Sequence, residues 1–301
     1  MRSEEHSREP GAQGPSFLLL TLAVGLAASV IFVGFPQIDI AVSRLFFLGD
    51  REFWLTGSAG LGAFLRNSFK LTFLLASICA SIGLLVSIFF RKRLSGLGFP
   101  QWLCLVMVLI VGPGLIANSL LKDHWDRARP RYIEQFGGNE HFTPALERSN
   151  QCEKNCSFVA GEAASIYALG FALAFVVGGR RRRALLIALA VGSFVGLVRI
   201  AGGGHFFSDV VFAGVFMGLV VRGMYWIVFE RFETELADGG PLHTRLNSVA
   251  IWLRNAVRRL LGRAPLAQAG AASSQWVQTQ SKRGSDSISR LAARFKRPPQ
   301  L

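Results

Sequence analysis

The sequence predicts an all-α, polytopic membrane protein built as a bundle of six transmembrane helices. Of its 301 residues, 51% are hydrophobic and only 17% are charged, and the mean hydropathy is +0.37. This composition is too apolar for an ordinary soluble domain, and several runs reach the ~20 residues that a spanning helix needs. The net charge of +14 falls mostly in clusters beside those runs, which is typical of membrane orientation signals and argues against binding to nucleic acid.

Six apolar runs define the predicted bundle. They lie at about residues 16–35, 71–90, 102–121, 158–177, 184–198 and 209–229. We interpret the first run as a retained anchor rather than a cleaved signal peptide, because it is long and no Ala-x-Ala site follows it. Residues 36–69 carry aromatic side chains among charged ones, which predicts a segment at the membrane surface.

The chain is expected to have three regions: a disordered cytoplasmic tail at 1–15, the membrane domain at 16–230 and a basic cytoplasmic tail at 231–301. In the last region, apolar residues recur at helical spacing between Leu246 and Leu261 with arginines among them. This pattern predicts an amphipathic helix, either on the membrane surface or packed against the end of the bundle. A following Ala/Ser/Gln-rich linker at 264–287 is expected to be disordered.

Basic clusters orient the bundle. The clusters at 91–93 and 180–183 and the C-terminal tail fall on one side if six helices alternate. Because cytoplasmic loops carry an excess of Lys and Arg, that side is expected to be the cytoplasm. Both termini are then cytoplasmic, and the loops 36–69, 122–157 and 199–208 face the periplasm or the exterior.

The stretch 199–209, Arg-Ile-Ala-Gly-Gly-Gly-His-Phe-Phe-Ser-Asp, joins the last two runs. His205 is the side chain best suited to act as a nucleophile near neutral pH, and Asp209 can accept its other ring N–H. Arg199 can hold an anion through a forked pair of hydrogen bonds, and the glycines let the backbone approach a substrate closely. Taken alone, the stretch is equally well interpreted as a polar turn with a capping aspartate.

Two further interhelical ends converge with this stretch on the outer face. Lys122 and Arg129 follow the third run, and Gly161 opens the fourth. Together with Arg199, the two basic residues offer a site for a dianion, and the unpaired amides near Gly161 add hydrogen-bond donors. A phosphate group is the natural occupant, because these charges let His205 attack phosphorus without repulsion from the phosphate oxygens.

Two of these patterns resemble signatures of the type 2 phosphatidic acid phosphatase superfamily. Lys-x6-Arg-Pro at 122–130 and Arg-x5-His-x3-Asp at 199–209 match at every defining position, and the resemblance spans about residues 70–230. It implies a six-helix membrane bundle that hydrolyses lipid phosphates through a phosphohistidine, without a metal or another cofactor. By the resemblance, the lysine and both arginines bind phosphate, His205 is the nucleophile and Asp209 orients it.

The chain departs from the second signature of that family. The family pattern Pro-Ser-Gly-His corresponds to Val159, Ala160, Gly161 and Glu162, so Glu162 stands where the family has the histidine that protonates the leaving group. Three interpretations stay open: a desolvated Glu162 is the acid, the leaving group needs less help, or the protein binds without hydrolysis. Glu162 is also explained as an N-terminal-turn carboxylate favoured by the helix dipole.

The loop 122–157 holds other candidates. His124 and His141 are alternative acids, and His124 is favoured because it lies two residues from Lys122. Arg127 and Arg131 either enlarge the cationic surface or pair with nearby acids, and we favour pairing. Those acids are Asp123, Asp126 and Glu134.

The four cysteines divide into two kinds. Cys79 and Cys104 lie inside apolar runs and are interpreted as small hydrophobic residues. Cys152 and Cys156 share a polar loop, where two cysteines alone are a weak metal signal but a disulfide is plausible if the loop is extracytoplasmic.

The predicted function is that of a lipid phosphatase with a phospholipid or glycolipid substrate. A lipid A phosphate ranks first, undecaprenyl diphosphate second and phosphatidylglycerol phosphate third, on a resemblance to bacterial lipid A phosphatases and on the cationic loop. The alternatives are a lipid phosphotransferase that uses the same phosphohistidine and a non-catalytic lipid-binding membrane protein. The sequence does not predict an oligomeric state.

Overall fold

Helices dominate the computed structural model of the chain, which describes residues 14–56, 60–122, 124–177 and 179–261. The chain divides into two units, 1–244 and 245–301. In the first unit, the described residues form a helical bundle with one small two-stranded hairpin, so the predicted all-α membrane architecture is confirmed. Of the predicted disordered segments, nearly all of the N-terminal tail and the whole linker lie outside the described residues.

Among the described residues, five helices have the length and the apolar composition to cross a membrane. They are α1 (Gly14–Gly34), α3 (Leu61–Phe90), α4 (Phe99–Leu109) with its π-helical continuation Ile110–Lys122, α6 (Arg181–Ala201), and α7 (Phe207–Trp226) with its π-helical continuation Ile227–Arg231. The remaining predicted run forms α5 (Gly161–Val176), an apolar helix of 16 residues. At 1.5 Å per residue, α5 is about 24 Å long and shorter than the ~30 Å hydrocarbon core, so the count of six spanning helices stays a prediction.

The short helix α5 lies inside the bundle. It packs against α3, α4, α6 and α7, and small side chains let its neighbours approach: an ideal Cβ at Gly170 would lie 2.6 Å from Cβ of Ala188 in α6. Close approach through small residues is the usual way in which helices associate in a membrane. Because these helices surround α5, its N-terminus at Gly161 lies in the middle of one end of the bundle.

The segment 36–69, which is predicted to lie at the membrane surface, contains regular secondary structure. It contains α2 (Gln37–Arg44) and the hairpin β1 (Phe47–Gly49) and β2 (Glu52–Phe53). The sequence prediction that the next helix begins near residue 71 is wrong by ten residues. Arg66 and Lys70 interrupt the apolar run, but residues four apart share one face of a helix, so α3 contains both and stays apolar elsewhere.

The predicted basic clusters lie at the ends of helices opposite to the candidate site. The cluster 91–93 follows the C-terminus of α3, which carries Arg66 in its first two turns. The cluster 180–183 opens α6, which carries Arg199 in its last turn. Both clusters therefore lie at the end of the bundle away from Arg66 and Arg199, and which side of the membrane that end faces stays a prediction.

In the part of the chain that the structure describes, two further helices follow the membrane helices. A short α8 (Glu233–Leu236) belongs to the first unit, and α9 (Pro241–Leu260) is a 20-residue helix. The helical spacing noted between Leu246 and Leu261 therefore falls on a helix, and its place on a membrane surface stays a prediction. The first unit extends to residue 244, and the functional boundary expected at 230 stays a prediction.

The contact between α3 and α4 gives a stability prediction. An ideal Cβ at Gly83 would lie 2.4–2.6 Å from the indole of Trp102, and that ring is held by a hydrogen bond of 3.2 Å from its Nε1 to the carbonyl of Leu97. Gly83→Ala should therefore cost about 1–3 kcal/mol through overpacking, measured as a lower midpoint of thermal unfolding in detergent. Gly223→Ala is the matched control, since nothing lies within 4 Å of its Cβ. Equal midpoints for the two variants would contradict this packing.

Candidate active site

A cavity of about 360 Å³ opens at the end of the bundle where α3, α5 and α6 meet the C-terminus of the α4 continuation. Its wall brings together all of the residues that the sequence predicts to bind phosphate, together with the predicted acid. These are Lys122, Arg129, Gly161, Glu162 and Arg199. His205 and Asp209 lie beneath that wall and are fully buried.

His205 is held by a backbone carbonyl. Its Nδ1 lies 2.7 Å from the carbonyl oxygen of Ser157, which can only accept, so Nδ1 carries the proton in the neutral ring and Nε2 carries the lone pair. Nε2 is buried without a hydrogen-bond partner in the described structure and lies 3.8 Å from Oε2 of Glu162. Burial lowers the pKa of His205, which favours the neutral, nucleophilic imidazole.

Asp209 does not accept the ring N–H of His205 as the sequence predicts, because its Oδ2 lies 3.7 Å from Nδ1, beyond hydrogen-bond distance. Oδ2 instead accepts from the hydroxyl of Ser157 at 2.5 Å and from the amide of Phe206 at 2.8 Å. Both partners border His205: Ser157 supplies its carbonyl, and Phe206 is its neighbour in the chain. Asp209 is therefore linked to the imidazole through these two residues.

Arg127 anchors Asp209 from below. Its Nη1 lies 2.5 Å from Oδ1 of Asp209, and its Nη2 lies 2.8 Å from Oδ2 of Asp39 in α2. Asp39 also accepts from the amide and the hydroxyl of Ser208, at 2.8 and 2.5 Å. All four side chains are buried, and the guanidinium packs 4.3 Å over the ring of Phe206. We call Asp39, Arg127, Ser208 and Asp209 the buried ion cluster.

The partners predicted for Arg127 are therefore wrong, because both of its carboxylates come from distant helices. Arg131 is also used differently from the prediction: its Nη2 donates to the carbonyl of Gly202 at 2.9 Å and its Nε to that of Gly203 at 3.1 Å. Of the acids expected to pair with these arginines, Asp123 lies outside the described residues. Arg131 thus holds the glycine turn before His205 in place.

The glycines of this turn are needed for packing within the protein. Gly203 has φ +60°, and a Cβ there would lie 2.6 Å from the ring of Phe53. A Cβ at Gly204 would lie 2.7 Å from Nη2 of Arg199. The sequence predicts that these glycines make room for a substrate. In the structure they make room for the hairpin and for the Arg199 guanidinium.

Three cations surround the predicted phosphate position. Nζ of Lys122 lies 3.0 Å from the position of an ideal Cβ on Gly161, so the glycine lets the lysine lie close to the first turn of α5. Arg129 is oriented by Asn155: its Nη2 lies 2.7 Å from the carbonyl oxygen and 2.9 Å from Oδ1. Burial, together with the charge of Arg199, lowers the pKa of Arg129 to about 10, so its guanidinium stays charged at neutral pH.

Glu162 lies between Arg199 and His205. Its Oε2 is 3.5 Å from Nε of Arg199 and 3.8 Å from Nε2 of His205. None of these three buried atoms has a hydrogen-bond partner in the described structure. Buried polar atoms are almost always paired in proteins, so their convergence marks this point of the cavity as the place where a polar ligand completes the hydrogen bonding.

The other candidate acids lie elsewhere. His124 Nδ1 lies 3.0 Å from the carbonyl of Ser119, and the exposed His141 lies 3.1 Å from Glu134. Neither histidine lines the cavity. Within the described residues, no group of three or more His, Cys, Asp or Glu side chains could hold a metal ion.

The loop beside Arg129 is closed by Cys152 and Cys156, whose sulfur atoms are joined in the structure. Asn155, the residue that orients Arg129, lies inside this short loop. The bridge thereby adjoins the anion site. Its presence in the native protein stays a prediction.

Sequence reasoning missed several residues of the site. Asn118, Asn155 and Ser165 line the cavity, as do Arg66 and Lys70 of α3. The α3 pair had a signal, since two basic residues four apart in an apolar stretch indicate function. Asp39 and the two serines of the network, Ser157 and Ser208, had none, because their partners are 52 to 169 residues away in the chain.

The buried ion cluster gives a second stability prediction. Asp39→Asn keeps the shape of the side chain but removes one charge from a fully buried pair, which typically costs about 3–5 kcal/mol. We expect a lower midpoint of thermal unfolding. Glu147→Gln on the exposed loop surface should change the free energy of unfolding by no more than about 0.5 kcal/mol. Equal midpoints for the two variants would show that the cluster does not stabilise the fold.

Known proteins resemble the chain over this region. The sequence model of the PAP2 superfamily matches residues 101–233. A lipid A 4'-phosphatase of Francisella tularensis subsp. novicida is 34% identical over 225 residues, which cover 72% of this chain and 97% of that protein. A lipid A 4'-phosphatase of Rhizobium etli is 34% identical over 227 residues and covers 67% of this chain and 83% of its own length.

A lipid A 4'-phosphatase of Rhizobium leguminosarum is 35% identical over 198 residues, which cover 62% of this chain and 84% of that protein. No solved structure matches the chain significantly. The family match begins in α4 and ends in α8, so it includes both motifs but not α1, α2 or α3. With relatives this similar over almost their whole length, the chain belongs to the PAP2 superfamily, as its two motifs predicted.

Proposed function

We propose that the protein is an integral-membrane lipid phosphatase that removes a phosphate from lipid A through a phosphohistidine at His205. The observation that carries the proposal is the position of Nε2 of His205. This atom is buried without a hydrogen-bond partner in the described structure and lies 3.8 Å from Oε2 of Glu162, in the wall of a cavity that Lys122, Arg129 and Arg199 also line. The printed activity of the three relatives supports lipid A as the first substrate to test.

The first chemical step is attack on phosphorus by Nε2 of His205. The N–P bond forms as the P–O bond to the lipid breaks, and the leaving oxygen takes a proton from the carboxyl of Glu162. Lys122, Arg129 and Arg199 balance the charge of the phosphoryl oxygens. The imidazolium keeps its Nδ1 proton on the carbonyl of Ser157, and the Asp209 carboxylate 3.7 Å away stabilises its positive charge.

The second step returns the protein to its starting state. Water attacks phosphorus on the phosphohistidine, and its proton passes to the Glu162 carboxylate as the N–P bond breaks. Inorganic phosphate and a neutral His205 result. A bound phosphate dianion places negative charge beside Glu162, which favours the protonated carboxyl that the first step needs. No step requires a metal ion, and we propose that turnover persists with a chelator present.

We further propose that the cavity faces the periplasm of a bacterial inner membrane and that both termini are cytoplasmic. The positions of the basic clusters at 91–93 and 180–183, at the ends of α3 and α6 opposite to the cavity, support this orientation. The outer leaflet of that membrane then presents the lipid head group to the cavity mouth.

A phosphate-release panel tests the function. Purified protein without added metal is given lipid A, undecaprenyl diphosphate, phosphatidylglycerol phosphate and phosphatidic acid, and inorganic phosphate is measured. We expect the fastest release from lipid A and none with His205→Ala, while His141→Ala, a histidine outside the cavity, keeps the wild-type rate. Wild-type-like release by His205→Ala would refute the mechanism. Phosphate that appears only on an added acceptor lipid would make the protein a phosphotransferase.

The role of Glu162 gives a separate prediction. Glu162→Gln keeps the shape of the side chain and removes the proton that it donates. For a phosphate monoester, whose alcohol is a poor leaving group, we expect the rate to fall about 10²–10⁴-fold. For a diphosphate, whose leaving group needs little protonation, the loss should be much smaller.

The control is Glu147→Gln, which removes a carboxylate outside the cavity and should change neither rate. A small and uniform loss on both substrates in Glu162→Gln would make Glu162 an N-terminal-turn carboxylate of α5 instead of the acid.

A further inference from the structure

One wall of the cavity comes from α3, outside both sequence motifs. It presents Arg66, Phe69, Lys70 and Phe73 to the cavity. These residues are spaced by three and four, so they share a single face of the helix. Arg66 and Lys70 are the two basic residues of a 30-residue helix that is otherwise uncharged. A pair of charges on one face of such a helix is costly unless it has a partner or a ligand.

No protein partner neutralises this pair among the described residues. Neither Arg66 nor Lys70 forms an ion pair with any carboxylate there, and Nε of Arg66 is buried without a hydrogen-bond partner. Other arginines nearby are committed to the protein: Arg129 binds Asn155, and Arg131 binds the glycine turn. The α3 pair is therefore available to a ligand.

The charge of the cavity also exceeds what one phosphate requires. Its described lining contains five basic residues and a single acidic one. Three of the five surround the position opposite His205, where a phosphate dianion is attacked, and two remain on the α3 wall. Phe69 and Phe73 lie beside that remaining pair and supply an apolar contact surface. This combination suits an amphipathic head group that carries a second anionic group.

We propose that Arg66 and Lys70 form a second anion subsite, which binds another phosphate of the same lipid while Lys122, Arg129 and Arg199 hold the reacting one. The inference rests on the proposed function and narrows the substrate to a lipid with at least two phosphate groups. Charge-assisted contacts from a guanidinium and an ammonium group are the usual means of binding phosphate in proteins. The subsite discriminates between substrates and takes no part in bond breaking.

Binding to an inactive protein tests the subsite without turnover. In the His205→Ala background, affinity is measured for a glycolipid with two phosphates and for the same glycolipid with only the reacting phosphate, both in detergent micelles. We expect the two-phosphate form to bind roughly 10-fold more tightly or better, since one charge-assisted contact is worth about that factor. Arg66→Gln combined with Lys70→Gln should reduce this preference to near unity.

The matched control removes two charges elsewhere on the exposed surface, with Arg44→Gln and Arg148→Gln, and should keep the preference of the background protein. Inorganic phosphate distinguishes a free anion from a head group: it should displace both lipids equally, because it competes at the reacting position. Stronger displacement of the two-phosphate lipid alone would place free phosphate at α3 and overturn the head-group assignment. An unchanged preference in the α3 double variant would overturn the subsite itself.

Turnover separates this proposal from the proposed function. With His205 present, the ratio of kcat/KM between the two-phosphate and one-phosphate lipids should fall about 10-fold in the α3 double variant, mainly through KM. If the one-phosphate lipid is hydrolysed and the ratio does not change, the subsite is wrong and the phosphatase assignment stands. If neither lipid is hydrolysed by the wild type, the phosphatase assignment fails and the binding preference alone decides the subsite.

Discussion

The ion pairs of Arg127 with Asp39 and Asp209 are the interaction on which the site depends. A buried charge is costly unless it is paired and fully hydrogen-bonded, and here one guanidinium meets two carboxylates that also bind serine hydroxyls and backbone amides. These bonds join α2, the loop after Lys122 and the start of α7 into one unit. Asp209 in turn bonds the hydroxyl of Ser157, whose carbonyl holds the imidazole, so the direction of the His205 ring is linked to a cluster that lies outside the cavity lining.

Above this cluster, the cavity has an excess of positive charge that the protein leaves uncompensated. Glu162 is the single carboxylate of the described lining, and it lies between Arg199 and His205 without a hydrogen bond to either. In the proposed mechanism, a phosphorylated ligand supplies the missing negative charge. Burial favours a neutral His205 before the substrate arrives, and the cations would remove the repulsion that otherwise opposes its attack. Binding and chemistry would then use the same electrostatic imbalance.

The sequence predicts what depends on local pattern and misses what depends on distant pairing. The apolar runs located the helices, and two spaced motifs located Lys122, Arg129, Arg199 and His205, because membrane spans and motif spacing are short-range properties of the chain. The partners of Arg127 could not be found this way: Asp39 is 88 residues away and has no spacing that marks it. The start of α3 was misplaced for a related reason. Arg66 and Lys70 interrupt the apolar run in the sequence, but in the structure they belong to α3 and line the cavity.

We propose that the phosphoryl group is transferred to His205 before water releases it. The most direct test of this transfer is to mix the protein with a lipid carrying a labelled phosphate, quench within one turnover and map the label by mass spectrometry. A phosphohistidine on the peptide that contains His205, stable in base and labile in acid, is the predicted result. Release of labelled phosphate with no phosphorylated protein at any time, or a label on another residue, would contradict the account.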